Sequence, residues 1–170
     1  MAREQDAVDR FVDQWLAVRP DVDTGPMQAV ARISRLSRLI DRRLAENFGR
    51  HGLENWMYDV LATLRRGGEP YELTAGELLR QSMVTTGAIT HRIDRLEQRG
   101  LVERAGTGDR RQVLVRLTPA GLALVDEVVQ THLQTERELL AGLSSRQLAD
   151  FTAVLRGLLL ALGDRASDPR

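Results

Sequence analysis

The sequence predicts a mainly α-helical fold that carries one small β-hairpin. Apolar side chains recur every three to four positions along most of the 170 residues, which is the period of an amphipathic helix. Between positions 101 and 117 this period gives way to two short alternating runs on either side of a turn rich in Gly and Arg. A chain of 170 residues is long enough for one domain with a substantial core.

Three amphipathic helices are predicted before position 67. The first has its apolar face at positions 8, 11, 12, 15 and 16, and Pro20 ends it. The second keeps the helical period from about Met27 to Gly49, and the third runs from about Glu54 to Arg66. The third helix is expected to turn four side chains inward, namely Trp56, Val60, Leu61 and Leu64.

Two further helices are predicted to be joined by a short turn. Thr74 and Glu77 have the spacing of a capping box and begin a short helix. The next helix begins at Thr85 and runs to about Arg99, and Gly100 ends it. Two helices with so short a connection indicate a helix-turn-helix.

The segment after Gly100 predicts two strands and then two helices. The strands begin at about Leu101 and Val113, and GTGDRR forms the hairpin tip between them. Thr118 and Pro119 are a strong helix start, and that helix is expected to reach about Ala141. Ser144 caps the last helix, which is apolar nearly all round near its end and must therefore be buried, most simply against a second subunit.

Composition excludes several classes of protein. The chain has no Cys, which excludes disulfides and thiolate metal sites, and its three His residues are too scattered to indicate a metal site. No segment resembles a signal peptide or is long enough to span a bilayer, so we expect a cytoplasmic protein that does not contact membranes. The net charge of zero does not favour a nucleic-acid partner, but seven Arg and four acidic residues lie between positions 80 and 111.

The predicted helix after position 84 suits the major groove of DNA. Its apolar positions Ile89, Ile93 and Leu96 must face the core, which leaves the opposite side free. Arg92 and Arg95 are placed for phosphates, or for a guanine if the helix tilts. The side chains expected at base edges are small or polar: Thr85, Thr86, Gly87, Ala88, Thr90 and His91.

The hairpin tip suits the minor groove, where Arg is the side chain most often inserted. Arg110 and Arg111 lie at this tip, and Asp109 could orient one guanidinium. Taken alone, the same three residues could be an ordinary charged turn. A helix-turn-helix followed by such a hairpin predicts a winged helix-turn-helix that binds double-stranded DNA.

The run VTTGAITHRIDRLEQRGLVERAGTGDRRQVLVRLTPAG resembles the MarR family of bacterial transcription regulators. The shared motifs are R-x-D-x-L-E, G-L-V-x-R, D-x-R and L-T-x-x-G. The resemblance implies an obligate homodimer with interleaved terminal helices that binds a pseudo-palindromic operator, usually as a repressor released by a small ligand. It also implies that Arg111 enters the minor groove with Asp109 as its buttress, and that Gly87, Ala88 and His91 face the major groove.

A narrower resemblance concerns the urate-responsive branch of that family. It rests on an extra N-terminal helix with Trp15, on Asp59 in the third helix and on Arg104 before the wing. Arg104 could pair with an anion, Trp15 could stack on a planar ring, and Asp59 could accept from ring N–H groups. The branch usually has an Asn where this chain has Gly67 and Gly68, so we expect a small anionic or planar ligand, urate-like or a carboxylic acid. Alternatively, Trp15 is a core anchor, and Asp59 and Arg104 form a structural ion pair.

We therefore predict a single domain over residues 1–162. Helices within 1–49 and 118–162 form the dimerisation part, 53–117 form the winged helix-turn-helix, and 163–170 form a flexible tail. Two other hypotheses stay open, namely a ligand-independent DNA-binding regulator or architectural protein and a helical interaction module that no longer binds DNA. No cofactor is expected, and the sequence has no nucleophile–base pair, phosphate loop or metal spacing that would indicate an enzyme.

Overall fold

A computed structural model describes residues 4–82, 89–106 and 113–165. Seven helices and three strands lie in these ranges. The helices are α1 Ala7–Val18, α2 Gly25–Arg50, α3 Asn55–Arg66, α4 Ala75–Gln81, α5 Ile89–Gln98, α6 Pro119–Leu139 and α7 Ser145–Ala161. The strands are β1 Glu72–Thr74, β2 Val102–Gly106 and β3 Val113–Leu117.

The helix starts predicted at Thr74, Thr118 and Ser144 are confirmed, whereas the start predicted at Thr85 lies outside the described residues. Thr74 and Ser144 each form a capping box with the residue three positions later, because their side chains bond the third backbone N–H of their helices. Thr118 caps α6 by accepting from the N–H of Gly121 at 3.0 Å. The helical segments and the pair of strands expected from sequence are therefore present, which gives a mainly helical fold with a small antiparallel sheet.

The sheet has one strand more than the hairpin predicted from sequence. β1 pairs antiparallel with β3, which lies between β1 and β2. Arg116 of β3 donates to Glu72 of β1 at 2.8 Å and lies 3.8 Å from Glu103 of β2. Opposite charges on directly paired positions therefore tie the three strands together.

The core lies beneath the sheet, between α3, α5 and α6. Leu61 and Leu64 of α3, Leu96 of α5 and Val115 of β3 are all fully buried. The expectation for Trp56 is corrected, because its side chain is only partly buried and the neighbouring Met57 fills the core position instead. α5 is thus attached to the core by one face.

α1 lies against α2 through charge and a few apolar contacts. Arg32 of α2 donates to Asp6 at 2.8 Å and to Asp9 at 2.7 Å, and both carboxylates belong to the first turn region of α1. Val8 and Val12 of α1 are buried. Within the described part of the chain, no helix is long and apolar enough to cross a membrane.

A large apolar surface of the single chain faces solvent. Within the described residues, α7 has no buried side chain. The exposed apolar side chains of α1, α2 and α7 include Phe11, Trp15, Leu16, Val30, Ile33, Leu36, Phe151, Val154, Leu158 and Leu159. A patch of this kind marks an interaction surface.

Candidate nucleic-acid interface

α5 presents a polar face on the side opposite to the core. Ile93 and Leu96 are buried, and Ile89 is half-buried, as the helical period predicts. Thr90 and His91 are exposed on the outer side of the same helix. The described part of this helix therefore has the shape that a groove-binding helix needs, with polar side chains outward on a fixed support.

Arg92 and Arg95 lie back against α3. The guanidinium carbon of Arg92 is 5.6 Å from the centroid of the Trp56 ring, and that of Arg95 is 5.1 Å from it. Arg95 also donates to Glu54 at 2.5 Å. These contacts with α3 set the conformation of both arginines. Both side chains are partly exposed, so their charge still faces solvent.

Arg104 ties β2 to α5. Its guanidinium donates to Asp94 and Glu97 of α5, and its backbone N–H donates to Glu97 at 3.3 Å. These carboxylates raise the pKa of Arg104, and the hydrogen bond to Asp94 contributes most. β2 and α5 are therefore connected by a charged contact as well as by the core.

Part of the predicted interface lies outside the described residues. This applies to Thr85, Thr86, Gly87 and Ala88 before α5 and to Asp109, Arg110 and Arg111 between β2 and β3. Their roles in DNA contact stay predictions. The ends of β2 and β3 next to that turn are antiparallel and paired, with Gly106 opposite Val113.

A cavity of about 450 Å³ lies between α2, α3 and α6, close to α5. Asp59, one of the three ligand residues predicted from sequence, contributes to its wall. The other lining residues are Asp41, Leu44, Phe48, Asn55, Trp56, Tyr58, Ala62, Arg66, His132 and Glu136. Aromatic rings together with charges of both signs suit a small planar ligand that carries polar groups.

Three aromatic rings form one side of this cavity. Phe48 and Tyr58 are stacked with centroids 4.4 Å apart, and His132 lies 4.9 Å from Tyr58. Burial raises the pKa of the Tyr58 hydroxyl, and the negative charge of Glu136 raises it further. Tyr58 therefore stays a neutral hydrogen-bonding group over the physiological pH range.

The structure places the three predicted ligand residues in three different places of the single chain. Asp59 lines the cavity between α2, α3 and α6. Trp15 is 46% exposed and lines an apolar groove of about 510 Å³ between α1 and α2. Arg104 is on β2, bonded to α5. Within one chain, Trp15 is therefore an exposed groove residue and not the core anchor that was the alternative.

Sequence reasoning missed several residues of this region. Glu54, Tyr58, Arg66 and His132 were not singled out, and Trp56 was assigned only to the core. A partial signal was present, because Arg92 and Arg95 are three positions apart and so share one side of a helix. That spacing does not indicate that both arginines contact Trp56 on α3.

Comparisons with known proteins show what the chain is similar to. A model of the MarR family matches residues 51–112. The chain is similar to the HTH-type transcriptional regulator PecS of Dickeya dadantii (strain 3937), with 40% identity over 156 residues, which is 91% of this chain and 93% of PecS.

Two solved structures extend the comparison to the fold. The structure of a mutant MarR from E. coli, complexed with operator DNA, has a TM-score of 0.67 at 27% identity and covers 85% of this chain and 97% of that one. A structure of Bordetella bronchiseptica BpsR, described as showing regulation of DNA binding by 6-hydroxynicotinic acid, has a TM-score of 0.67 at 25% identity and covers 75% and 90%.

Proposed function

Because this chain belongs to the MarR family of transcriptional regulators and resembles its PecS branch, we propose that it is a homodimeric repressor. It binds a pseudo-palindromic operator and is released by a small anionic ligand. Membership of the family already makes the chain a transcriptional regulator and not an enzyme. Dimerisation, repression and ligand release are the proposed parts.

One observation carries the DNA-binding proposal, namely the outer face of α5 with its tie to the wing. Thr90 and His91 are exposed on a helix whose opposite side is buried. Arg104 bonds β2 to the same helix, so helix and wing approach DNA as one unit. The MarR structure determined with operator DNA has the same fold, which supports this use of the surface.

We assign contacts to the rest of the interface from the sequence. Thr85, Thr86, Gly87 and Ala88 contact base edges together with Thr90 and His91. Arg92 and Arg95 contact phosphates. Arg111 enters the minor groove with Asp109 as its buttress and Arg110 beside it.

The exposed apolar surface supports a homodimer. Val154 and Leu158 on α7 are 61% and 46% exposed, although both have the spacing of an inward helix face. Helices within 1–49 and 118–162 supply this surface, and 53–117 supply the DNA-binding part. Two copies would place two α5 helices on successive major grooves of a palindromic site.

The cavity between α2, α3 and α6 supports a ligand. Asp59 and Arg66 offer an acceptor and a cationic donor beside the aromatic rings, which suits a planar acid. The regulation of BpsR DNA binding by 6-hydroxynicotinic acid is a precedent for an acid of this size. Trp15 and Arg104 remain assigned to ligand response, and their separation in one chain leaves the dimer to complete any shared site.

The DNA-binding proposal is tested by selecting sequences from a random double-stranded library with the full-length protein. We expect a pseudo-palindromic sequence to be enriched. Arg111→Ala should weaken binding to that sequence by about 1–3 kcal/mol, the range for one good groove contact, and should reduce its salt dependence. Failure to enrich any sequence would contradict the proposal, and an unchanged affinity would contradict the role of Arg111.

The ligand proposal is tested by thermal unfolding with urate and with 6-hydroxynicotinic acid. A ligand at about 100 times its Kd stabilises the folded protein by about 2.7 kcal/mol, so Tm should rise and operator affinity should fall. Arg104→Ala should abolish the rise in Tm. If neither acid changes Tm or operator affinity, these two compounds are excluded as ligands, and the second candidate function is favoured.

The second candidate is a DNA-binding regulator that needs no ligand. The observation that favours it is the position of Arg104, whose guanidinium already has two carboxylate partners on α5. In that case Arg104→Ala should weaken DNA binding with no ligand present. Because the first function predicts the same weakening, the two are separated by the operator affinity of wild type without and with acid, which falls with acid only under the first function.

A further inference from the structure

Two arginines of α5 share one indole ring of α3. Trp56 lies within cation–π distance of both, with Arg95 the closer at 5.1 Å and Arg92 at 5.6 Å. The indole is only partly buried, so it is more than a core residue. It forms a platform on the surface of α3, facing the side of α5 that carries these two charges.

Glu54 fixes the geometry of this platform. The Nε1–H of Trp56 donates to one carboxylate oxygen of Glu54 at 2.9 Å, and Arg95 donates to the other at 2.5 Å. Glu54 is the N-cap residue of α3, yet its side chain makes no capping hydrogen bond. The carboxylate bonds the Trp56–Arg95 pair instead.

The protonation state of Glu54 agrees with this role. The indole N–H of Trp56 lowers the pKa of the Glu54 carboxyl, and the guanidinium of Arg95 lowers it further. The carboxylate is therefore charged at neutral pH. A charged acceptor gives the stronger hydrogen bonds that hold ring and guanidinium in one arrangement.

Trp56 also lines the cavity that Asp59 and Ala62 line. One side chain therefore contacts both the proposed ligand site and the proposed phosphate-binding arginines. We propose that Trp56, held by Glu54, is a positioning residue that sets Arg92 and Arg95 for DNA and transmits occupation of the cavity to them. This rests on the proposed function, because it needs the two arginines to contact DNA.

The physical reason is the loss of side-chain freedom on binding. A free arginine has many rotamers, and fixing one of them on a phosphate opposes binding. A guanidinium already stacked on an indole has lost part of that freedom before DNA arrives. A ligand that shifts the ring would release or redirect both guanidinium groups at once.

A double-mutant cycle tests the positioning role. Operator affinity is measured at low salt for wild type, Trp56→Leu, the Arg92→Ala/Arg95→Ala pair and the triple variant. We expect Trp56→Leu to weaken binding about threefold to tenfold in wild type and less than about twofold once both arginines are absent. Trp56→Phe keeps an aromatic face and should retain most of the affinity.

The outcomes separate this inference from the proposed function. If the arginine pair can be removed without loss of affinity, the proposed DNA contacts of α5 are wrong. Suppose instead that removing the arginines weakens binding. If Trp56→Leu then reduces operator affinity by the same factor with and without the arginines, the positioning role is wrong. Thermal unfolding identifies a variant that has only lost its fold, and Arg146→Ala, on a side chain 93% exposed, is the control for loss of a charge.

Fluorescence gives a readout that a merely structural tryptophan would not change. The chain has two Trp residues, so Trp15→Phe leaves Trp56 as the only indole. We expect its emission to change when operator DNA is added, because phosphates then bind the guanidinium groups that lie on its ring. The change should be lost in the Arg92→Ala/Arg95→Ala background, and its persistence there would overturn the proposal.

The transmission step is tested without a ligand by filling the cavity. Ala62→Leu adds three carbon atoms to its wall, and Ala123→Leu adds the same atoms at an exposed position of α6. We expect Ala62→Leu to weaken operator binding at least twofold in the wild-type protein. It should have no effect on operator binding in the Trp56→Leu variant. The same effect in both backgrounds, or none in either, would refute transmission through Trp56.

Discussion

Gly121 shows how a single residue sets the position of a helix. It lies in the first turn of α6, where its backbone passes the carbonyl of Leu101. A Cβ at Gly121 would lie 1.9 Å from that carbonyl oxygen, which no side chain tolerates. The N–H of Thr118 donates to the same oxygen at 3.2 Å, so α6 begins directly against the start of the hairpin. This contact is the physical reason for a Gly in the L-T-x-x-G motif.

Gly121→Ala should therefore destabilise the protein. Replacing Gly by Ala within a helix normally stabilises it by up to about 1 kcal/mol. Here the clash is with backbone and forces α6 away from Leu101, so we expect a net loss of about 3 kcal/mol in the free energy of unfolding. Gly49→Ala is the matched control, since nothing lies within 4 Å of its new Cβ, and it should be neutral or stabilising. Urea unfolding of both variants measures the difference, and equal stabilities would contradict the prediction.

At the scale of one element, α4 is the clearest case of a helix with a defined start. Thr74 accepts from the N–H of Glu77 at 3.2 Å, and Glu77 accepts from the N–H of Thr74 at 2.8 Å and from its hydroxyl at 2.7 Å. α4 has only seven residues, so its own backbone hydrogen bonds contribute little. The capping box and the buried side chain of Leu78 hold this helix beneath α5.

The cap makes the stability of α4 depend on pH. Hydrogen bonds from Thr74, from the hydroxyl first and then from the backbone N–H, lower the pKa of Glu77. A lowered pKa in the folded state contributes stability above the unfolded-state pKa of about 4.3, and this contribution is lost as pH falls through the folded value. Glu77→Gln keeps an acceptor oxygen at every pH. We expect wild type to lose stability relative to Glu77→Gln between about pH 5 and pH 3, as measured by urea unfolding, and a constant difference would refute this.

At the scale of the whole molecule, the single chain is incomplete. Its core is well filled beneath the sheet, yet α7 and one side of α1 and α2 expose many large apolar side chains. A monomer does not normally expose such a surface. The family to which the chain belongs is typically dimeric, and the terminal helices are the elements that the sequence assigns to the dimer.

Negative charge introduced on α7 should dissociate the proposed dimer into monomers. Val154→Asp combined with Leu158→Asp places two carboxylates on the apolar face of α7, where burial against a partner would leave them unpaired. We expect sedimentation to show a monomer and operator affinity to fall at least tenfold, since each half-site is then bound alone. Arg146→Ala on the same helix should stay dimeric. A double variant that sediments as wild type would exclude α7 from the interface.

Elements whose causes are local can be predicted from the sequence. Helix periods follow from side chains three and four positions apart, and the caps at Thr74, Thr118 and Ser144 follow from bonds that span three residues. The order of helix, turn, helix and hairpin follows from the same short-range signals. These were enough to predict the fold class and the outward face of α5.

The tertiary structure alone decided which surfaces meet. Glu72 pairs with Arg116, which is 44 positions away in the chain. β1 has only three residues, which is too short for an alternating pattern to predict a strand. Arg95 donates to Glu54, which lies 41 positions earlier in the chain. The cavity exists only where α2, α3 and α6 come together. A local pattern states which face of a helix will be buried, whereas the choice of partner depends on how all the faces pack at once. For this reason the outward face of α5 could be predicted from the sequence, and its contact with Trp56 could not.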